Sequence, residues 1–308
     1  MNRAESSLAS PPLAAPAAVC PVHPRWRLIL SIFKLRIGVL ITLTALAGMA
    51  SVPGGTANGW QALVLALGVL VASASAGAFN QYVEAETDRL MARTRSRAFS
   101  SGALQRKPRW LLLMLAMVIA AFLGTGTLIN WVSALYVLLG ALTYAFVYTV
   151  GLKRRTPWNI VIGGAAGSFA VLAGAATANP HVAAQGWLLA LVLLLWTPPH
   201  FWSLAIANRE QYAAAGVPML PVVVGAERAA RIVHYSAMAL VAASLLPLAV
   251  GSGWAYGFGA IVGGVHFLRK TAALAQQPVK SRAMAAFFAS MAQLSILIAG
   301  VWVDAALR

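Results

Sequence analysis

Nine runs of apolar residues, most of them long enough to cross a bilayer as helix, leave this 308-residue chain few folds to choose from. A hydrocarbon core about 30 Å thick takes roughly 20 helical residues to span. Inside it, every peptide group must find its partner within the protein. The runs lie near 32–52, 60–82, 109–128, 132–150, 158–178, 185–206, 230–250, 254–268 and 284–304. The eighth, built around "YGFGAIVGGVHF", is short for a span. Composition agrees: 60% of residues are hydrophobic and 10% are charged, against about 25% charged in an ordinary soluble protein. The expected fold is all-α, a polytopic membrane bundle of about nine transmembrane helices forming one domain over 29–308. Residues 1–28, rich in Ala, Pro and Ser, read as a mobile tail unable to bury a core of its own. Prolines interrupt any signal-peptide core there, and spoil a lipoprotein reading of "AAVC". The single cysteine, Cys20, excludes an internal disulfide framework and a Cys-rich metal site.

A net charge of +16 would suggest nucleic acid in a soluble protein; here its distribution reports topology, and no nucleic-acid partner is expected. Arg3, Arg25, Arg27, Lys34 and Arg36 lie in the tail and the first helix start. Arg89, Arg93, Arg95, Arg97, Arg106, Lys107 and Arg109 fill the connection between helices 2 and 3. Further basic residues fall between helices 4 and 5, 6 and 7, and 8 and 9, and the intervening connections carry no Lys or Arg. The positive-inside rule then puts the N-terminus in the cytoplasm. Nine spans put the C-terminus in the periplasm of a bacterial inner membrane, since the tail lacks a convincing mitochondrial presequence.

The seven acids are more selective. Glu84, Glu86 and Asp88 follow helix 2, Glu210 follows helix 6, and Glu5, Glu227 and Asp304 lie elsewhere. Asn80, Glu84 and Asp88 are spaced i, i+4, i+8, so a continuing helix places them in one polar column. Such a column offers oxygens to a hard cation. Mg²⁺ commonly takes one or two carboxylates, waters and the oxygens of a substrate phosphate. Arg93, Arg95 and Arg97 follow closely, with the fork geometry that suits phosphate. Residue chemistry alone leaves two readings open: a Mg²⁺-diphosphate site, or a charged anchor at the membrane interface.

"NQYVEAETDRLMARTRSR" (80–97) resembles the first Asp-rich motif, N-x-x-x-D-x-x-x-D, of the intramembrane aromatic prenyltransferases of the UbiA type. With the following "SG" (101–102), "LWTPPHFWSLAI" (195–206) and "AAAGVPMLPVVVG" (213–225), it is similar to the protohaem IX farnesyltransferase, or haem O synthase, branch. The resemblance covers most of residues 30–304. It implies a UbiA-like bundle and transfer of farnesyl from farnesyl diphosphate to a vinyl group of haem b, with addition of water. Asn80, Glu84 and Asp88 would hold Mg²⁺ as the catalytic centre, and Arg93, Arg95, Arg97 and Arg209 would bind the diphosphate. Asn208, Glu210 and Tyr212 of "NREQY" stand at the second motif, where Gln211 replaces an acid common in the branch. Glu84 replaces the usual Asp, and Leu35 and Ala98 replace usual prolines. The resemblance also makes His200 a haem contact, since imidazole suits haem iron. Lys153 and Arg154 are candidates for the propionates, or simply orientation charges. Tyr144, Tyr148, Trp196, Phe201 and Trp202 could face a farnesyl cation. A haem A-forming enzyme is a possible partner. The competing functions are prenyl transfer to another aromatic acceptor, a secondary transporter built on Gly- and Pro-interrupted helices, and a non-catalytic oxidase assembly factor.

Overall fold

The computed structural model of the protein describes residues 25–307. All nine apolar runs are helical, and no strand occurs among the described residues. In chain order the helices are α1 (Arg25–Ile32), α2 (Leu35–Ala50), α3 (Gly59–Val83) and its short continuation α4 (Ala85–Arg89), then α5 (Pro108–Leu128). Next, α6 (Trp131–Leu142) runs on into a π-helical stretch, Thr143–Leu152, and α7 (Asn159–Gly163) leads into α8 (Ala165–Ala178). The second half holds α9 (Ala184–Ala207), the short α10 (Arg209–Ala214) and α11 (Leu220–Val224), and α12 (Ala226–Ala243) with a 3₁₀ turn at Leu246–Val250. Two long helices close the chain, α13 (Trp254–Gln276) and α14 (Lys280–Ala306).

Among the described residues, seven spans are long and apolar enough to cross a membrane, and α1 with α2, bent by 45°, make an eighth. Among the described residues the count by length and apolarity is thus up to eight, short of the expected nine. The difference is α13. At 23 residues it is longer than its apolar run, and about 34 Å of helix would cross a bilayer. Its glycines, Arg269 and Lys270 keep it out of the apolar set. Helix α1 begins at Arg25, inside the expected tail; residues 1–24 lie outside the described residues.

Local chemistry explains the helix starts. Asn58 and Gln61 form a reciprocal capping box at α3. Asn130 accepts from the Ser133 N–H at α6 (2.8 Å), and Pro108 opens α5, where a missing N–H costs nothing. Packing is set by small residues. Helix α2 crosses α8 so closely that a Cβ on Gly174 would collide with the Ala45 carbonyl, and one on Gly48 with the Val171 carbonyl. Small residues at such crossings are the usual means of helix association in lipid. Helix α8 also packs on α6 and α9, while α9, α12, α13 and α14 pack on one another. Large side chains such as Leu112, Phe258 and Phe288 face outward, as a lipid-facing surface requires.

Several spans are interrupted towards the same end of the bundle. Between α1 and α2, Lys34 adopts left-handed backbone (φ 47°), a strained choice for a residue with a Cβ. The carbonyls freed there, those of Ser31 and Ile32, accept from the Gln81 side-chain amide at 3.1 and 2.9 Å. Helix α3 breaks at Glu84, and α6 widens into its π stretch. Helix α9 carries Pro198 and Pro199 within it, each removing one backbone hydrogen bond.

Candidate functional site

The break at Glu84 does not disturb the expected column. Glu84 N–H still bonds the Asn80 carbonyl (3.0 Å) and Asp88 N–H the Glu84 carbonyl (2.8 Å). The i+4 register therefore passes through the kink and keeps the three side chains together. All three are buried, each 2% exposed, which no exposed interfacial anchor would be. Asn80 Nδ2 donates to Glu84 Oε2 at 2.8 Å and to Thr149 Oγ1 at 3.1 Å. Glu86, by contrast, is exposed and ion-paired with Arg89 and Arg106. It staples the connection after α4 and takes no part in the column.

A buried carboxylate needs a charge partner, and each one here has it. Lys153 Nζ lies 2.5 Å from Glu84 Oε2, and Arg97 lies 2.7 Å from Asp88 Oδ2. Lys34 Nζ donates to Asn80 Oδ1 at 2.6 Å. Arg154 donates to the Thr87 hydroxyl. Lys153 and Arg154, taken from the resemblance as haem contacts, are therefore brought to the acidic column. The cause is the π stretch. Its widened turns carry Thr149 and Lys153 onto the face against α3, and Thr149 Oγ1 in turn bonds the Tyr144 carbonyl (2.8 Å). A π segment inside a span is often a mark of function. Of the arginines expected on the diphosphate, Arg97 reaches the column; Arg93 and Arg95 are exposed. The connection that carries Arg97 is folded back by Thr94, whose hydroxyl bonds the Asp88 carbonyl (2.9 Å), and by Arg89, bonded to the Ser100 carbonyl (2.8 Å).

Tyr144 and Tyr148 stack on each other, with centroids 5.6 Å apart. Lys34 lies over the first ring and Lys153 over the second, both at 5.9 Å. Gly163 makes room for Tyr148, since a Cβ there would sit 2.6 Å from its ring. Tyr148 lies within Coulombic reach of Glu84, Arg93 and Tyr212. It thereby links the first motif to the second. Tyr212 is buried in a cluster with Met91, Ile160 and Trp202, against which Tyr148 packs. Asn208 ends α9, bonding the Leu204 carbonyl (2.9 Å) and accepting from Gln211 (3.2 Å). Arg209 and Glu210 are exposed, and Glu210 makes no ion pair among the described residues.

His200 stands apart from the column. It is buried on α9 between Trp196 (4.1 Å, 18°) and Phe287 of α14 (4.5 Å, 28°), stacked on both faces. Ser290 Oγ donates its only proton to the Phe287 carbonyl (2.6 Å). It therefore accepts from His200 Nδ1–H at 2.7 Å, which leaves Nε2 with a free lone pair. Trp196 fixes the same turn through its indole N–H to the Ser290 carbonyl (2.9 Å). Trp202 packs against Trp158 instead, and Phe201 is exposed.

Sequence reasoning missed Lys34, Gln81, Thr149 and Ser290. Lys34 is legible in hindsight as a cation set inside an apolar run; the others are single polar residues with no pattern around them.

The sequence profile of the UbiA prenyltransferase family matches residues 41–292. Protoheme IX farnesyltransferase 2 of Paramagnetospirillum magneticum is 50% identical over 278 residues, 90% of this chain and 96% of the relative. Among solved structures, a digeranylgeranylglyceryl phosphate synthase shares the fold with a TM-score of 0.77 at 18% identity, covering 92% of this chain and 99% of its own. A UbiA homologue from Archaeoglobus fulgidus bound to DMAPP and Mg²⁺ gives 0.64 at 15% identity, over 87% and 99%. By profile and by identity over nearly its whole length, this chain belongs to the UbiA prenyltransferase family.

Proposed function

We propose that this protein transfers the farnesyl group of farnesyl diphosphate to a vinyl group of haem b, forming haem O. The observation that carries the prenyl-transfer half is the buried Asn80–Glu84–Asp88 column, faced by Lys34, Arg97 and Lys153. The half-identical relative named for protohaem IX supports the acceptor. In the balanced reaction the farnesyl C1–O bond breaks and C1 bonds the terminal vinyl carbon. Water then adds to the inner carbon and loses a proton, and diphosphate leaves.

The donor set fits Mg²⁺ in kind: hard oxygens only, two carboxylates and one amide, all buried together. When bound, Mg²⁺ supplies charge neutralisation of the leaving diphosphate. The chain's own residues do the rest. Asn80, Glu84 and Asp88 would hold the metal, while Arg97, Lys153 and Lys34 would take the phosphate oxygens, a preorganised electrostatic role. On this reading Lys153 and Arg154 serve the diphosphate end rather than the haem. Arg93, Arg95 and Arg209 are exposed on the approach from solvent; of the second motif, Tyr212 shares a buried cluster with Tyr148, while Glu210 is exposed. The stacked Tyr144 and Tyr148 offer electron-rich faces to the allylic cation. Gly163→Ala, which pushes on Tyr148, is expected to lower kcat about tenfold while the protein stays folded, measured by single-turnover transfer and circular dichroism.

His200 presents Nε2 as the haem contact, with Ser290 fixing its tautomer as outer partners of metal-binding histidines do. Ser290→Ala is expected to weaken haem b binding about tenfold, read from a Soret titration, with pyrophosphate binding unchanged. An unaltered titration would remove His200 from the haem site. The site opens towards the cytoplasm of a bacterial inner membrane on this reading, and a haem A-forming enzyme would consume the product. The deciding experiment incubates purified protein with haem b, farnesyl diphosphate and Mg²⁺ and analyses the extracted haem by mass spectrometry. Haem of unchanged mass would refute the assignment.

A further inference from the structure

Each of the three side chains in the column already has a cation on one of its oxygens: Lys34 on Asn80 Oδ1, Lys153 on Glu84 Oε2 and Arg97 on Asp88 Oδ2. The two carboxylates are matched by Arg97 and Lys153, and the Lys34 amine holds the amide oxygen of the column. Lys34 lies within Coulombic reach of Arg97, Lys153, Glu84 and Asp88, so the five groups share one field. A free divalent ion approaching those oxygens meets two cations and a third amine already at contact distance in a buried site, where screening is weak.

The same cations have somewhere else to go. Beside the column lies a cavity of about 350 Å³ lined by Ser31, Lys34, Ile37, Gln81, Ser96 and Arg97. Lys34 and Arg97 therefore stand between the column on one side and an open space with hydroxyl and amide groups on the other. A diphosphate placed there offers Lys34 and Arg97 new oxygens, and their movement onto it bares Asn80 Oδ1 and Asp88 Oδ2. Lys34 itself lines the cavity, and its stem lies over Gly77, with no side chain there to hold it. Arg97 can move because it is partly exposed on a connection between helices.

We infer that Lys34, Lys153 and Arg97 close the metal site in the resting protein, so that metal and diphosphate enter only together. This rests on the reading of Asn80, Glu84 and Asp88 as the metal column. Its consequence is a charge exchange, cations leaving the carboxylates as the phosphate arrives, that keeps the site from filling with metal in the absence of substrate.

The test is equilibrium dialysis of the full-length protein in nanodiscs with Mn²⁺ as the probe, with and without inorganic pyrophosphate. The wild type is expected to retain Mn²⁺ alone at least tenfold more weakly than with pyrophosphate. The Lys34→Met/Lys153→Met variant, and to a lesser degree Lys34→Met by itself, should retain Mn²⁺ alone at least tenfold more tightly than the wild type. Wild-type protein that takes Mn²⁺ equally well without pyrophosphate overturns the inference, and so do folded lysine variants with wild-type retention of Mn²⁺ alone. Glu84→Gln/Asp88→Asn separates this from the underlying reading. Loss of Mn²⁺ retention with pyrophosphate keeps the metal column, whatever the lysine variants do. Retention like the wild type's refutes the column and the exchange together.

Discussion

Asp88→Ala is expected to lower farnesyl transfer by about 10²- to 10³-fold, the usual cost of removing one preorganised group that stabilises transition-state charge. Two features make this an effect on chemistry rather than on folding. Among the described residues the Asp88 carboxylate bonds only Arg97, and Arg97 is partly exposed, so solvent can take over its guanidinium. The connection that folds back over α4 is held by the Asp88 backbone carbonyl, which alanine keeps. The variant should therefore remain in the membrane with near-normal helicity. Glu86→Ala is the matched control. Its pairs with Arg89 and Arg106 are more than a third exposed on both sides, contribute about 0–1 kcal/mol, and stand outside the column. Transfer within twofold of wild type is expected there. Equal activity in the two variants would remove the column from the mechanism.

Gly174→Ala is expected to be the most damaging small substitution in the bundle, costing about 3 kcal/mol or more and showing as loss of folded protein on thermal challenge in detergent. Overpacking usually costs about 1–3 kcal/mol because side chains can shift aside. Here the obstacles are the Ala45 carbonyl and the Met49 amide nitrogen, backbone atoms of α2 that cannot move without moving the helix. Since α8 also packs on α6 and α9, the displacement would spread through the bundle. Gly167 on the same helix has nothing within 4 Å of an added Cβ, and Gly167→Ala is expected to be neutral. A Gly174→Ala protein as stable as Gly167→Ala would show that the two helices can separate freely.

The helices were legible because lipid imposes a length and an apolarity that the chain must print in its sequence. Runs such as 60–82 and 185–206 differ from their structural bounds by a residue or so. Helix α13 was read short because its basic end follows glycines, and hydropathy weakens there before the helix does. At the site, Asn80, Glu84 and Asp88 were legible because i+4 spacing is a property of one helix, and the kink at Glu84 preserves that register. From sequence, Lys34 reads as a topology charge and Lys153 as a propionate contact or an orientation charge. Neither reading could be corrected from sequence, because Asn80 lies 46 residues from Lys34 and Glu84 lies 69 from Lys153.

By itself, the sequence determined the all-helical bundle and the polar column at one end of it, both of which follow from periodicity within single helices. Only the tertiary structure decided which cation faces which oxygen. That pairing depends on a left-handed residue at Lys34, a π-helical stretch before Lys153 and a connection that folds Arg97 back onto Asp88. Each is a departure from regular helix stabilised by contacts between distant segments, and such departures leave no period to read.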